Sequence, residues 1–232
     1  MDRLKLVYAD ETAAAGRIEC LDDAGQTMRT LDMSDMLQAI PCLASGTRIA
    51  TRTGMRPVED LRPGDMVLTR DHGQQPVIWA GSHALTWRDL GANPILRPVR
   101  MRAGAFGNGV PDADLVVSPN HQMLVTGRAG ASGKGTEALI MARHLVGRPG
   151  IEVLNVMSVT YHQVLFSRHE LILAEGLWTE SYRPDASGLG AMNAAVREKV
   201  LGAGSDMPSM PVGAYDPARD TVARHNVISL IV

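Results

Sequence analysis

The sequence predicts a mainly β fold, and three observations carry that prediction. Segments with strand-like patterning are short, and turn signals recur about every eight to twelve residues. Glycine (23) and proline (13) punctuate the middle of the 232-residue chain. Only two stretches, Glu137–Leu145 and Leu189–Leu201, have the composition of helices.

The elements follow in order. Residues 1–37 form an N-terminal segment with a small hairpin expected around Ala24-Gly25. Arg48 to Arg52 alternates, Thr53-Gly54 turns and Met55 to Val58 returns, which reads as a hairpin. In LRPGDMVLT, Pro63-Gly64 suits the centre of a type II turn, because proline presets one φ and glycine accepts the positive one. Met66 to Thr69 follows as a strand, DHGQQ turns, and Pro76 to Trp79 continues as strand. Further strands are expected at Leu115–Val117, Gln122–Thr126, Glu152–Thr160 and Leu171–Leu173. The core domain is placed at 38–184, with 185–232 as a weakly structured tail rich in Gly, Ala, Met and Pro.

Composition sets bounds on function. Apolar content of 45% and charged content of 21% describe a globular protein. A chain this long buries roughly 70–75% of its unfolded surface, so it needs no disulfide or structural metal to hold a core. Net charge is only -2 and no basic stripe runs along the chain, which argues against nucleic acid as a partner. The N-terminus MDRLKLVYADETAAAG has charges inside its apolar stretch and does not read as a signal peptide. No segment approaches the roughly 18–20 apolar residues of a membrane helix, so no membrane partner is expected. The default location is cytoplasmic, although export without an N-terminal signal leaves no trace in a sequence.

Chemistry concentrates in three stretches. The first is IPCLASGTRI, in which Cys42 is one of two cysteines, Cys20 being the other. A thiol is a strong nucleophile once activated, and the electrophile nearest to Cys42 by covalent geometry is the carbonyl of Pro41. Attack there closes a five-membered ring and moves the acyl group from nitrogen to sulfur. Taken alone, a small buried cysteine at a strand start is the plainer reading. The second stretch is VVSPNHQMLV. Pro119 and Asn120 fit the centre of a type I turn, which brings the ends of the turn within about 7 Å. The Ser118 hydroxyl and the His121 imidazole can then converge on one peptide bond, where the leaving nitrogen needs a proton and the oxyanion a hydrogen bond. A polar turn with a hydrogen-bonded histidine is the bland alternative. In the third stretch, VTYHQVLFSRHELILAEGLWTESY, His162 and His169 are seven apart and face opposite ways on a straight strand. A zinc site built from Cys42, His121, His162 and His169 is therefore the weaker reading. His72 and His83 are expected in or near turns, solvated, and His144 and His225 show no partner in the sequence.

Together these stretches resemble the hedgehog/intein (Hint) autoprocessing family, particularly its bacterial branch. CLASGTRIATRTGMRPVEDLRPGDMVLTRDHGQQPVIWAG is similar to the family's opening: Cys, a short spacer, Gly-Thr, a hairpin, Pro-Val-Glu-Asp-Leu, Gly-Asp and two further strands. SPNHQMLV resembles the second block, with Ser118 where threonine is usual, and YHQVLFSRHELILAEGLWTES the closing blocks, with His169 at the matching histidine. The resemblance spans about 42–183. It implies a mainly β horseshoe of short strands with pseudo-twofold symmetry and few short helices. It also implies that Cys42 attacks the Pro41 carbonyl, that His121 protonates the departing amide with Ser118 assisting, and that Gly46-Thr47 position Cys42. No cofactor is implied.

Departures shape the expected activity. Splicing members close with His-Asn followed by Cys, Ser or Thr, whereas GLWTES stands here, so splicing is not expected. His225-Asn226 is followed by Val227 and lies far beyond the matching block. His162 replaces the aspartate that often follows the tyrosine, and is a candidate base in its stead. Pro41 on the acyl side is bulky and slows the shift. The leading reading is a cis-acting autoproteolytic cysteine domain. Its own N-terminal segment is the substrate, and water or a small thiol is the acyl acceptor. The other reading is a degenerate Hint scaffold that does no cleavage and serves as a structural or interaction module.

Overall fold

The computed structural model describes residues 3–8, 16–21, 26–32, 41–127, 137–183, 216–221 and 230–231. The helix expected at 189–201, the Ala24-Gly25 turn and His225-Asn226 lie outside the described residues. What is described is mainly β and antiparallel in its sheets.

At the N-terminus β1 (Arg3–Tyr8), β2 (Gly16–Leu21) and β3 (Thr27–Asp32) make a three-stranded sheet in that order. β2 and β3 are the arms of the expected hairpin, and β1 adds a third strand. The next strands are β4 (Leu43–Ala44), β5 (Arg48–Thr51), β6 (Gly54–Pro57), β7 (Met66–Thr69), β8 (Gly73–Pro76) and β9 (Trp79–Leu85). Helix α1 (Trp87–Ala92) and β10 (Val99–Met101), β11 (Leu115–Val117), β12 (Gln122–Gly127) and β13 (Glu137–Met141) come next. Helix α2 (Ala142–Leu145), β14 (Ile151–Val153), β15 (Val159–Leu165), β16 (Leu171–Ala174), β17 (Leu177–Glu180) and β18 (Leu230–Ile231) complete the order.

Two larger sheets hold the domain. One runs β14-β10-β11-β4-β15-β9, the other β13-β12-β17-β16-β5-β7-β8, with β6 on β5 and β18 on β12. Ile49, Met101, Leu115, Met123 and Ile140 come from both sheets and share one fully buried cluster with Phe166, which follows β15. Each such side chain contributes about 1.5–3 kcal/mol on leaving water.

Several expectations hold and several need correction. Asp65 N donates to Arg62 O at 3.1 Å around Pro63-Gly64, and Gly64 has φ +94°, the left-handed value that favours glycine in the turn. The run expected as a turn from Asp71 to Gln75 enters β8 at Gly73. Pro76 to Trp79 is not one strand: Pro76 ends β8, Trp79 opens β9, and between them the chain crosses between sheets, with Val77 N bonded to Asp65 O and Ile78 N to Leu165 O. The expected strand 152–160 is two, β14 and β15. β14 ends where its partner β10 begins, and Leu154 N turns to Pro98 O at 2.8 Å. Glu137 to Met141 is a strand, not the start of a helix. Its pairing with β12 over Gln122↔Met141 to Thr126↔Glu137 overrides local helix propensity. Helix α1 was overlooked although its signal is local: Thr86 and Asp89 form a reciprocal capping box. His83 lies within β9 beside Tyr161, ring centroids 6.1 Å apart, and burial lowers its pKa to about 4. His72 lies in the turn before β8 and is exposed, as expected, and its Nδ1 also meets Glu170 at 2.9 Å. Residues 216–221, expected in a loose tail, lie against β13, with Leu139 N bonded to Asp220 O at 2.8 Å. Among the described residues no helix is long and apolar enough to cross a membrane.

Candidate active site

Cys42 stands one residue before β4, a two-residue strand held between β11 and β15 through Val117↔Leu43, Tyr161↔Ala44 and His162↔Leu43. Its side chain is buried, at 1% exposure. Ser118 grips it twice: Cys42 N–H donates to Ser118 Oγ at 2.9 Å, and Ser118 N–H donates to Cys42 O at 2.9 Å. The nitrogen of the Pro41–Cys42 peptide bond is therefore fixed by the hydroxyl that the sequence singled out. Gly46, at φ +87°, turns the chain from β4 into β5, and its N–H is held by the Glu59 carboxylate at 2.9 and 3.0 Å. Buried Thr47 donates its hydroxyl to Ala44 O at 2.8 Å, closing the same turn.

The thiol has a further partner that the sequence reading did not name. Gln163 Nε2 donates to Cys42 Sγ at 3.0 Å, from a residue only 1% exposed. Strand alternation explains the assignment. Gln163 and Tyr161 share one face of β15, whereas His162 faces the other way and meets Ser45 Oγ at 2.8 Å through Nε2. That alternation was the available signal, and the histidine drew attention from the glutamine. Burial pushes the Cys42 thiol up to about 12; hydrogen bonds from Gln163 and Ser118 pull it down, and the Glu180 charge pushes it further up.

Ser118 to His121 forms the expected β-turn, with His121 N bonded to Ser118 O at 3.1 Å. Helix α2 locks it: Ala142 N donates to His121 O and Arg143 N to Pro119 O, both at 2.9 Å. His121 is 2% exposed and its Nε2 is hydrogen-bonded with Thr179 Oγ1. Because that hydroxyl donates to Gln122 O at 2.9 Å, it accepts from the ring, so Nε2 carries the proton and Nδ1 the lone pair. Nδ1 has no hydrogen-bond partner among the described residues. Burial lowers the His121 pKa to about 3, with the nearby His169 acting in the same direction.

His169 lies beside His121 on the second sheet's side. Its Nε2 is 3.3 Å from Glu180 Oε2, and both side chains are buried. Glu180 also accepts from Gln122 N at 2.9 Å and Gln122 Nε2 at 3.1 Å, and burial raises its pKa against the pull of His169. Cys42 is thus hydrogen-bonded to Ser118, Ser118 shares a turn with His121, and all of these and His169 are buried, whereas His162 points to the opposite face of β15. Burial lowers the His162 pKa. Among the described residues no group of three or more His, Cys, Asp or Glu side chains is disposed to hold a metal ion.

A family model described as the Hint domain matches residues 41–186. No curated protein matches the chain. Among solved structures, the gp41-1 intein is similar at 13% identity, over 60% of this chain and 97% of that one, with a TM-score of 0.35. The MchDnaB-1 intein is similar at 17% identity, over 60% and 98%, with a TM-score of 0.37. A bacterial intein-like domain from Clostridium thermocellum is similar at 12% identity, over 61% and 98%, with a TM-score of 0.34. Likenesses this distant carry no argument beside the family match.

Proposed function

The chain belongs to the Hint domain family, and from that membership we propose that it is a self-processing domain that cuts its own Pro41–Cys42 peptide bond without splicing. The observation that carries the reading is the pair of contacts on Cys42: Ser118 Oγ at 2.9 Å from its nitrogen and Gln163 Nε2 at 3.0 Å from its sulfur.

In this reading Cys42 Sγ bonds to the Pro41 carbonyl carbon while the thiol proton passes to the Nδ1 lone pair of His121. The tetrahedral intermediate has a basic nitrogen. That nitrogen takes the proton from His121, aided by the Ser118 hydroxyl, and the C–N bond breaks. A thioester links Pro41 to Cys42 Sγ, and Cys42 now has a free amine. Water or a small thiol then attacks the thioester, releasing residues 1–41 and restoring the Cys42 thiol at the head of residues 42–232. Exchanging an amide for a thioester is uphill, so catalysis rests on the proton transfers, and general acid–base assistance typically supplies about 10²–10⁴-fold. Each tenfold takes about 1.4 kcal/mol off the barrier.

A second reading, an inert Hint scaffold, is favoured by the resting charges: the thiol at about 12 and His121 at about 3 are both neutral at pH 7. Intact-mass spectrometry of fresh protein, with and without added thiol, separates the two. Self-processing predicts a species of residues 42–232 from the wild type and only the 24.9 kDa chain from Cys42→Ala. Identical fragments from both would overturn the cysteine mechanism. A wild-type chain that stays whole under all conditions is the inert scaffold.

A further inference from the structure

The segment Asp216–Thr221 lies beyond the family match at residues 41–186, yet it reaches the buried histidine cluster. Ala218 N–H donates to His169 Nδ1 at 3.1 Å. Three other attachments surround that contact. Leu139 N donates to Asp220 O at 2.8 Å, and Thr221 bridges to Leu139 in parallel, so the segment extends the β13 edge. Thr221 Oγ1 donates to Gln122 Oε1 at 2.7 Å, and Gln122 in turn holds Glu180. Arg219 spans two carboxylates, with Asp71 at 2.8 and 3.0 Å and Glu137 at 2.7 and 2.9 Å. A planar guanidinium gripping two carboxylates is a directional anchor, which a lone surface ion pair is not. Ala218 itself packs on the Leu124, Leu139 and Leu171 cluster beside Trp178.

We propose that Asp216–Thr221 is a positioning strap: the Ala218 amide fixes His169 as the tautomer with its proton on Nε2, on the ring edge that lies 3.3 Å from Glu180, and Arg219 keeps the strap in place. The chemistry is a matter of donor and acceptor. An N–H pointed at Nδ1 requires a lone pair there, so in the neutral ring the proton sits on Nε2, the nitrogen 3.3 Å from Glu180 Oε2. Without the strap Nδ1 opens to water and both tautomers become accessible. The strap sets the geometry of the neighbour of His121, and misplacement of supporting groups on this scale costs about tenfold to a hundredfold in rate. Its effect on cleavage rests on the self-processing reading; its effect on His169 does not.

The experiment therefore has two arms, both on the full chain. In the first, Cys42→Ala protein with 15N-labelled histidine is compared with Cys42→Ala/Arg219→Ala and Cys42→Ala/Ala218→Pro, and the tautomer of His169 is read from two-bond 1H–15N couplings. The strap predicts a single Nε2–H tautomer in the parent and a substantial Nδ1–H population in both variants. Ala218→Pro removes the donor while leaving Arg219 and its carboxylate partners in the chain, so it decides the matter if Arg219→Ala disturbs folding. In the second arm, Arg219→Ala and Ala218→Pro are placed in the chain with Cys42 intact. Cleavage is expected to slow about tenfold or more. An unchanged tautomer in both variants overturns the strap, as does a changed tautomer with an unchanged rate. A parent that never cleaves defeats the self-processing reading, while the tautomer arm still decides whether the strap positions His169.

Discussion

The two ends of the buried cluster solve opposite electrostatic problems. At the thiol end, Cys42, Ser118, Gln163 and His121 are nearly sealed from water, and the Ser118 hydroxyl and Gln163 amide meet Cys42 as neutral groups. At the carboxylate end, Glu180 keeps His169 at 3.3 Å and two donors from Gln122. Burial dominates at the first end, raising the thiol pKa to about 12 and lowering that of His121 to about 3. The second end reinforces the same state at the sulfur, because the Glu180 charge opposes a thiolate. The thiol end is thus held neutral twice over. On the proposed self-processing reading, Cys42 rests protonated, and its activation comes from proton transfer to a neighbouring group as the sulfur attacks.

The strongest way to break that account is at the proton carrier. His121→Ala removes the ring that moves the proton, so cleavage is expected to fall about 10²–10⁴-fold, followed by mass spectrometry over time. A fall of less than threefold would leave His121 outside the chemistry. Neighbours on β15 sharpen the comparison next. Gln163→Leu removes the donor at 3.0 Å from Sγ and is expected to slow cleavage about tenfold, in line with the loss of one hydrogen bond to a developing charge. His162→Ala empties the opposite face, and there the rate is expected to stay within about twofold. Equal losses in both variants would erase the distinction between the faces.

The smallest effect is on folding. The His121 pKa is depressed in the native state, so its contribution is intact above the unfolded value near 6.5 and is lost as pH falls toward about 3. The slope is at most about 1.4 kcal/mol per pH unit. Cys42 acts at the other limit: its pKa is raised, so its contribution is intact below about 9 and is lost as pH climbs toward about 12. Glu180, raised by burial, works against the His121 limb in acid, so the quantity to plot is the difference in urea-unfolding stability between wild type and His121→Asn. That difference should shrink from pH 7 to pH 4. A constant difference would mean that His121 is not buried neutral.

Local chemistry made much of this legible in the sequence. Pro119-Asn120 and Pro63-Gly64 declare their turns, because each fixes backbone angles that few other residues accept. Ser118 and His121 could be brought together on that basis, and Cys42 joined them through the resemblance to the Hint family. Pairing over long distances was not legible. The run 137–141 is a strand only because β12 lies alongside it. Gln163 carries no signal of its own, since a glutamine on a strand marks neither a turn nor a titratable site, whereas His162 beside Tyr161 does. Arg219 finds Asp71 across 148 residues of chain, inside a stretch whose composition reads as a linker. No periodicity records such a contact.

The most direct test of the central claim is to trap the acyl-enzyme. Full-length protein incubated with hydroxylamine should release residues 1–41 as the Pro41 hydroxamate, identified by mass, and do so only when Cys42 is present. Release from Cys42→Ala as well, or a wild-type chain that hydroxylamine never cuts, would contradict an acyl shift to the sulfur.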